Sequence, residues 1–184
     1  MKKLVFISLF VVMAISARSQ DVKFPGLDTS PADIVYYPLN VVKAKDGSTP
    51  LIKVLYSRPS KKGREIFGVL EQFGKVWRVG ANESTEIRFY KPATIGGKKI
   101  KPGTYSLFAI PNKDKWTIII NKQVDKWGAF TYDQTKDIVR TDVNVKSLEK
   151  PLEVLSITFT TQATGTNMVI GWDHSTVEVP ITIK

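Results

Sequence analysis

KPGTYSLFAIPNKDKWTIIIN, residues 101–121, contains two apolar runs, each bounded by turn-forming residues. Lys101-Pro102-Gly103 supplies a tight turn, and Pro111-Asn112-Lys113-Asp114 reverses the chain between Thr104 to Ile110 and Trp116 to Asn121. Runs this short, rich in β-branched and aromatic residues and without helical spacing, predict consecutive strands of an antiparallel meander.

The same pattern extends in both directions. Upstream, Leu51 to Ser57 reads as a strand, and Glu86 to Tyr90 sets Ile87 and Phe89 on one face against Glu86, Arg88 and Tyr90 on the other. Gly96-Gly97 turns the chain. Downstream, Ile138 to Val145, Leu152 to Thr161, Asn167 to Trp172 and Val177 to Ile183 repeat the alternation, with Trp172 to Thr176 read as a hairpin turn. In the last run Pro180 has no N–H for a central ladder, which predicts an edge position. The whole predicts an all-β fold, an antiparallel two-sheet β-sandwich of Greek-key or jelly-roll type, with one short helix near residues 66–73 between Gly63 and Gly74. Lys122 to Lys136 is long for a connection in such a domain and holds Trp127, Phe130 and Tyr132. Its aromatics either plug an open end of the sandwich or stack on a ligand.

The N-terminus has the three-part plan of a secretory leader: Lys2-Lys3, the apolar stretch Leu4 to Ile15, and small residues around Ala17 and Ser19. The expected organisation is a signal peptide at 1–19, an irregular lead-in at 20–33 and a single domain at 34–184. Arg18 and the polar Ser19-Gln20-Asp21 end the apolar run too early for a membrane span. The chain has no cysteine, hence no disulfide, no thiolate metal site and no lipid-carrying cysteine after the leader. The expected location is the periplasm or the exterior of a Gram-negative cell, not as a lipoprotein.

Lys plus Arg number 27 against 17 Asp plus Glu, a formal net charge of +10, from which the leader removes Lys2, Lys3 and Arg18. The remaining excess favours acidic partners, an anionic small molecule or polysaccharide, over nucleic acid, for which no binding motif is present. Scattered lysines that keep an exported chain soluble are the plainer reading.

The single histidine, His174, excludes two-histidine metal sites and is the only residue that could serve as base in a nucleophilic triad. No phosphate-binding glycine loop occurs, and no metal site or cofactor is expected. Carboxylates that could pair for hydrolysis include Glu65, Glu71, Glu83, Glu86, Asp133 and Asp137, without a spacing that predicts facing geometry.

The most site-like block is YSRPSKKGREIFGVLEQFGKVWRVGANEST, residues 56–85. Arg58, Lys61, Lys62 and Arg64 place four cations within seven residues, and guanidinium groups suit bidentate capture of carboxylate, sulfate or phosphate. In the functional reading Arg58, Arg64 and Arg78 converge on an anion. Asn82 and Glu83 then add polar contacts, Trp77 forms a stacking wall, and Trp127 and Tyr132 of the long loop complete the pocket. In the structural reading Arg64 or Arg78 pairs with Glu83 and Asp137, and Asn82 satisfies loop backbone groups.

YSRPSKKGREIFG, WRVGANEST, IKPGTYSLFAIP, WTIIINK and WGAFTYD, in this order, resemble the bacterial domain-of-unknown-function family 2911 from about Leu51 to Ile183. The resemblance implies export and marks Tyr56, Ser57, Arg58, Pro59, Gly63, Arg64, Trp77, Arg78, Gly80, Asn82, Glu83 and Thr85 as the positions of its pattern. It implies no activity. The expected function is a non-enzymatic, envelope-associated binding module for an anionic or carbohydrate-like ligand. A carboxylate-dependent hydrolase of glycans or esters, with Glu83 as one acid, and a structural or assembly protein are the alternatives.

Overall fold

The computed structural model describes residues 21–183, so the expected leader at 1–19 lies outside the described residues. Nine strands follow in order: β1 (Ala32–Tyr37), β2 (Ile52–Ser57), β3 (Thr85–Phe89), β4 (Ala93–Ile95), β5 (Lys98–Ile100), β6 (Gly103–Pro111), β7 (Lys115–Asn121), β8 (Asp137–Gln162) and β9 (Gly165–Ile183). Every pairing is antiparallel, in the order β1-β2-β3-β6-β7-β8-β9-β4-β5. The lead-in is irregular up to Pro31, and β1 begins two residues before the expected domain start.

The fold is all-β and antiparallel, as expected, with the nine strands in one hydrogen-bonded order, and four of the expected strands are two long, bent ones. The first part of β8 pairs with β7 and its second part with β9. Where β8 bends, the register jumps from Ser147 opposite Ser175 to Leu152 opposite Asp173, so β8 carries extra residues against a short stretch of β9. Such bulges bend a strand without ending it. Asp173 takes φ 52 at this bend, so Trp172 to Thr176 is a kink inside β9 and not the expected hairpin turn. His174 lies exposed there, its Nδ1 3.0 Å from the Leu148 carbonyl oxygen.

Residues 59–61 return the β2 side of the sheet to the second half of β8. Leu155 donates its N–H to Pro59 O at 3.1 Å, and Lys61 donates to Glu153 O at 2.6 Å. The sheet thereby folds over one core that joins Ile52, Val54 and Ile87 to Leu155, Ile170, Trp172 and Val179. Alternation in β9 holds as expected, with Val177, Val179 and Ile181 buried and Pro180 exposed. Its strand is not an edge, however. Pro180 falls between the β8 pairing at Val177 and the β4 pairing at Thr182, where its missing N–H interrupts no ladder.

The expected helix at 66–73 is a turn. Gly68 has φ 96, Glu71 donates to Ile66 O at 2.9 Å and Gly68 donates to Glu71 O at 2.9 Å, which closes the segment on itself. Tertiary packing overrides helix propensity here. Ile66 is fully buried, and Phe67 lies 4.7 Å from Trp116 and 5.5 Å edge-on to Trp77, ring centre to ring centre. Trp77 itself meets Trp116 edge-on at 5.6 Å and stacks on Trp172 at 6.1 Å. Each such pair contributes about 0.5–1.5 kcal/mol beyond the area it buries. The turn is therefore a lid pinned from below, with Val69, Leu70 and Phe73 left exposed on its outer side.

Candidate functional site

The block 56–85 divides into a structural part and an open part. Arg58 belongs to the first. Its Nε donates to Leu155 O at 3.0 Å, Nη1 to Asp33 Oδ2 at 2.8 Å and Nη2 to Ser156 Oγ at 2.9 Å, so every guanidinium nitrogen is engaged. This arginine ties β1 and β2 to the second half of β8. Lys61 is structural too, with Nζ 2.8 Å from Asp173 Oδ1 and donating to Arg64 O at 2.8 Å. Replacing Arg58 with alanine removes a charge-assisted pair and strands two acceptors, a loss of about 1–3 kcal/mol. Chemical denaturation should show that loss, with anion affinity unchanged.

Trp77 is in the aromatic core, 2% exposed, and lines neither of the two recesses described below. Burial area won over ligand stacking because three other aromatic rings surround it. Tyr132 docks the long loop. Its ring packs edge-on against Phe108 at 5.3 Å, and its hydroxyl donates to Asp137 Oδ2 at 2.6 Å while accepting from Arg140 Nη1 at 2.9 Å. Burial, then the Asp137 carboxylate, raises its phenol above the ordinary range. Trp127 and Phe130 do not plug the sheet: they are 63% and 82% exposed.

Arg64 and Arg78 come together on a cleft of ≈ 270 Å³, with Lys62, Glu71, Ser30 and Ser60 also on its walls. Arg64 reaches it from the tight loop before the lid. Its Nε donates to Lys61 O at 2.9 Å and Nη2 to Ser60 O at 2.6 Å, which fixes the fork and leaves Nη1 without a partner among the described residues. Arg78 is half-buried, and among the described residues its side chain makes no hydrogen bond and no ion pair; its Nε is buried and unpartnered. The pairing of either arginine with Glu83 or Asp137 is not made. Asp137 pairs with Arg140 at 2.8 Å instead, and Glu83 is exposed.

A strained loop holds Arg78 in place. Val79, fully buried and β-branched, sits at φ 55, and Asn82 at φ 59. The left-handed region is tolerable for asparagine but an outlier for valine, worth about 1–3 kcal/mol of strain. Thr85 Oγ1 donates to Val79 O at 2.7 Å, and Thr85 N donates to Arg78 O at 3.2 Å, closing the loop onto the start of β3. Gly80 fits because a Cβ there would lie 3.2 Å from both Ser57 O and Thr85 Oγ1. The sequence VGAN thus encodes a turn that presents Arg78 on one side and Asn82-Glu83 on the other.

Glu71 is the member of the cleft that was not singled out as a ligand contact in the sequence. Burial lifts its carboxyl to about 7, against the opposing pull of Arg78 and then Arg64. No salt bridge joins it to either arginine. In the sequence it is marked only as one of the carboxylates that could pair for hydrolysis. Unpaired guanidinium groups and an unpaired carboxyl therefore face the same opening, a set able to bind an anion and exchange a proton near neutrality.

With Glu83 and Asn82, Trp127 lines a second recess of ≈ 260 Å³ that also includes Asp28, Ser30 and Ser57. Glu83 and Trp127 form an isolated antiparallel bridge, and Ser84 donates to Lys126 O at 2.8 Å. The structure thus brings Arg64 and Arg78 to one opening and Asn82, Glu83 and Trp127 to the next, while Arg58, Trp77 and Tyr132 serve the scaffold.

Both recesses are built from elements inside residues 38–181, apart from the lead-in contacts, and this is the span that matches the family described as "Protein of unknown function (DUF2911)". The chain belongs to this family. No curated protein and no solved structure matches it. The VGAN loop, the lid and Arg64 all lie within the matched span, while Thr29 and Ser30 of the cleft precede it.

Proposed function

We propose that the protein is a non-enzymatic, exported binding module of the cell envelope that captures an anionic, carbohydrate-type ligand in the Arg64–Arg78 cleft. One observation carries the reading: Arg78 is half-buried yet unpartnered among the described residues. Its buried Nε has lost water without gaining a partner, a cost that an anion drawn to the guanidinium would offset, and a strained loop holds it there. Arg64, fixed by two carbonyls, and Lys62 add positive charge without closing the opening. The basic excess of the chain favours the same class of partner. The secretory character of the N-terminal sequence supports the location, and no helix among the described residues is long and apolar enough to cross a membrane.

Calorimetric titration with glucuronate, sulfate and phosphate tests the reading. Arg78→Met, which keeps the side chain's bulk, should weaken binding about 10- to 100-fold by removing one charge-assisted contact. Arg58→Ala should leave it unchanged. Equal affinity in wild type and Arg78→Met, or no binding of any of the three at millimolar concentration, would refute the proposal.

A hydrolase reading has one specific observation in its favour, the Glu71 carboxyl raised to about 7, in the range of a general acid. Turnover of an acidic glycan or ester that disappears in Glu71→Gln with binding retained would replace the binding-module reading with this one.

A further inference from the structure

We infer that the cleft is one half of a longer groove, whose ligand is an acidic oligosaccharide with a uronate ring at Arg78 and a neutral, hydroxyl-rich ring on Trp127. This rests on the anion-binding reading of the cleft. The two recesses adjoin: Ser30 lines both, and the VGAN loop contributes Arg78 to one and Asn82 and Glu83 to the other. Gly128, directly after Trp127, donates its N–H to Asn82 O at 2.9 Å, and a Cβ at Gly128 would lie 3.7 Å from Arg78 Nη1. The backbone next to Trp127 thus passes beside the guanidinium, and the Glu83–Trp127 bridge fixes it there.

The two halves ask for different chemistry. Around Arg78 the charge is positive except for Glu71. Around Trp127 it is Asp28 and Glu83, with Asn82, Ser30 and Ser57 as neutral polar groups. Carboxylates repel a second anion but accept hydrogen bonds from hydroxyls, and an indole 63% exposed on a fixed backbone offers a flat apolar face to the C–H side of a sugar ring. An anionic lipid surface fits less well, since Asp28 and Glu83 beside the exposed tryptophan would be driven toward the same charge. A sugar chain in which a uronate neighbours a neutral ring satisfies both halves.

The test compares free glucuronate with an aldobiouronic acid, glucuronate linked to one neutral pentose, by calorimetry on the full chain. Wild type should bind the disaccharide about tenfold more tightly than the monosaccharide, and Trp127→Ala should abolish that difference while keeping glucuronate affinity. Asn82→Gly, which keeps the left-handed backbone and the exposed aromatic, should reduce the same increment. Equal affinity of wild type for the two probes, or an increment that survives Trp127→Ala, would overturn the inference while leaving the cleft's anion binding standing. Glucuronate affinity lost in Trp127→Ala would also overturn it. If wild type binds neither probe, both readings fall.

Discussion

Gly165→Ala should destabilise the fold on the order of 3–5 kcal/mol. Gly165 opens β9 at φ 151, and a Cβ there would lie 2.1 Å from Ile181 O and 3.0 Å from Thr182 Cα. Both are backbone atoms, so no side chain can rotate away. The carbonyl of Gly165 also accepts from Tyr37 Oη at 2.9 Å, so displacing the residue disturbs β1 as well as the β8–β9 hairpin. For a chain of this size such a loss lowers the melting temperature by roughly 10 °C or more. Gly97→Ala is the control. Gly97 sits at φ 74 with open space around its missing Cβ, so it reports backbone strain alone, at about 1 kcal/mol. Equal melting temperatures for the two variants would show that the close approach of β9 to its own C-terminal end is not tight.

The second large effect depends on pH. Glu71 in the folded protein holds its proton up to about 7, against an ordinary value of 4.5, because burial disfavours the ionised form more than Arg78 and Arg64 favour it. Between these two values the folded chain binds more protons than the unfolded one, so stability falls as pH rises. Below the ordinary value both states are protonated and the penalty is absent; above about 7 it is complete. Its ceiling is about 3 kcal/mol at 1.36 kcal/mol per pH unit. Glu71→Gln removes the titration. The stability difference between Glu71→Gln and wild type should therefore grow by roughly 2–3 kcal/mol from pH 4 to pH 8, measured by urea denaturation at each pH. A difference that does not vary with pH would mean that Glu71 is solvated when ionised. The same proton sets the charge of the cleft, so glucuronate affinity in wild type should fall as pH passes upward through 7, and Glu71→Gln should flatten that fall.

The strands were legible because alternation reports burial directly: Ile52 and Val54, Ile87 and Phe89, and Val177, Val179 and Ile181 all face the core. What alternation does not report is whether a strand ends or bends. Ser147 to Leu152 and Trp172 to Thr176 carry polar residues that suit a turn, and the structure uses them as a bulge inside two continuous strands. The lid failed as a helix for a different reason. Ile66 and Phe67 are adjacent residues, both committed to the same aromatic core, and a turn with Gly68 at positive φ delivers the pair where a helix would point them apart.

The candidate site was legible in outline only. Residues 56–85 are dense in cations, yet density does not say which guanidinium is consumed by the scaffold. Arg58 donates to a carbonyl, a hydroxyl and a carboxylate on distant segments, at Leu155, Ser156 and Asp33, and no local pattern announces those meetings. Glu71 stands in the sequence as one of several candidate carboxylates, because the burial that raises its proton affinity is a tertiary property.

A crystal structure of the protein soaked with glucuronate measures the central claim most directly. The sugar's carboxylate should lie in the cleft within hydrogen-bond distance of the Arg78 guanidinium, with Arg64 and Glu71 on its other sides. Glucuronate bound elsewhere, with Arg78 turned onto a protein carbonyl or carboxylate and the cleft filled by the lid, would contradict it.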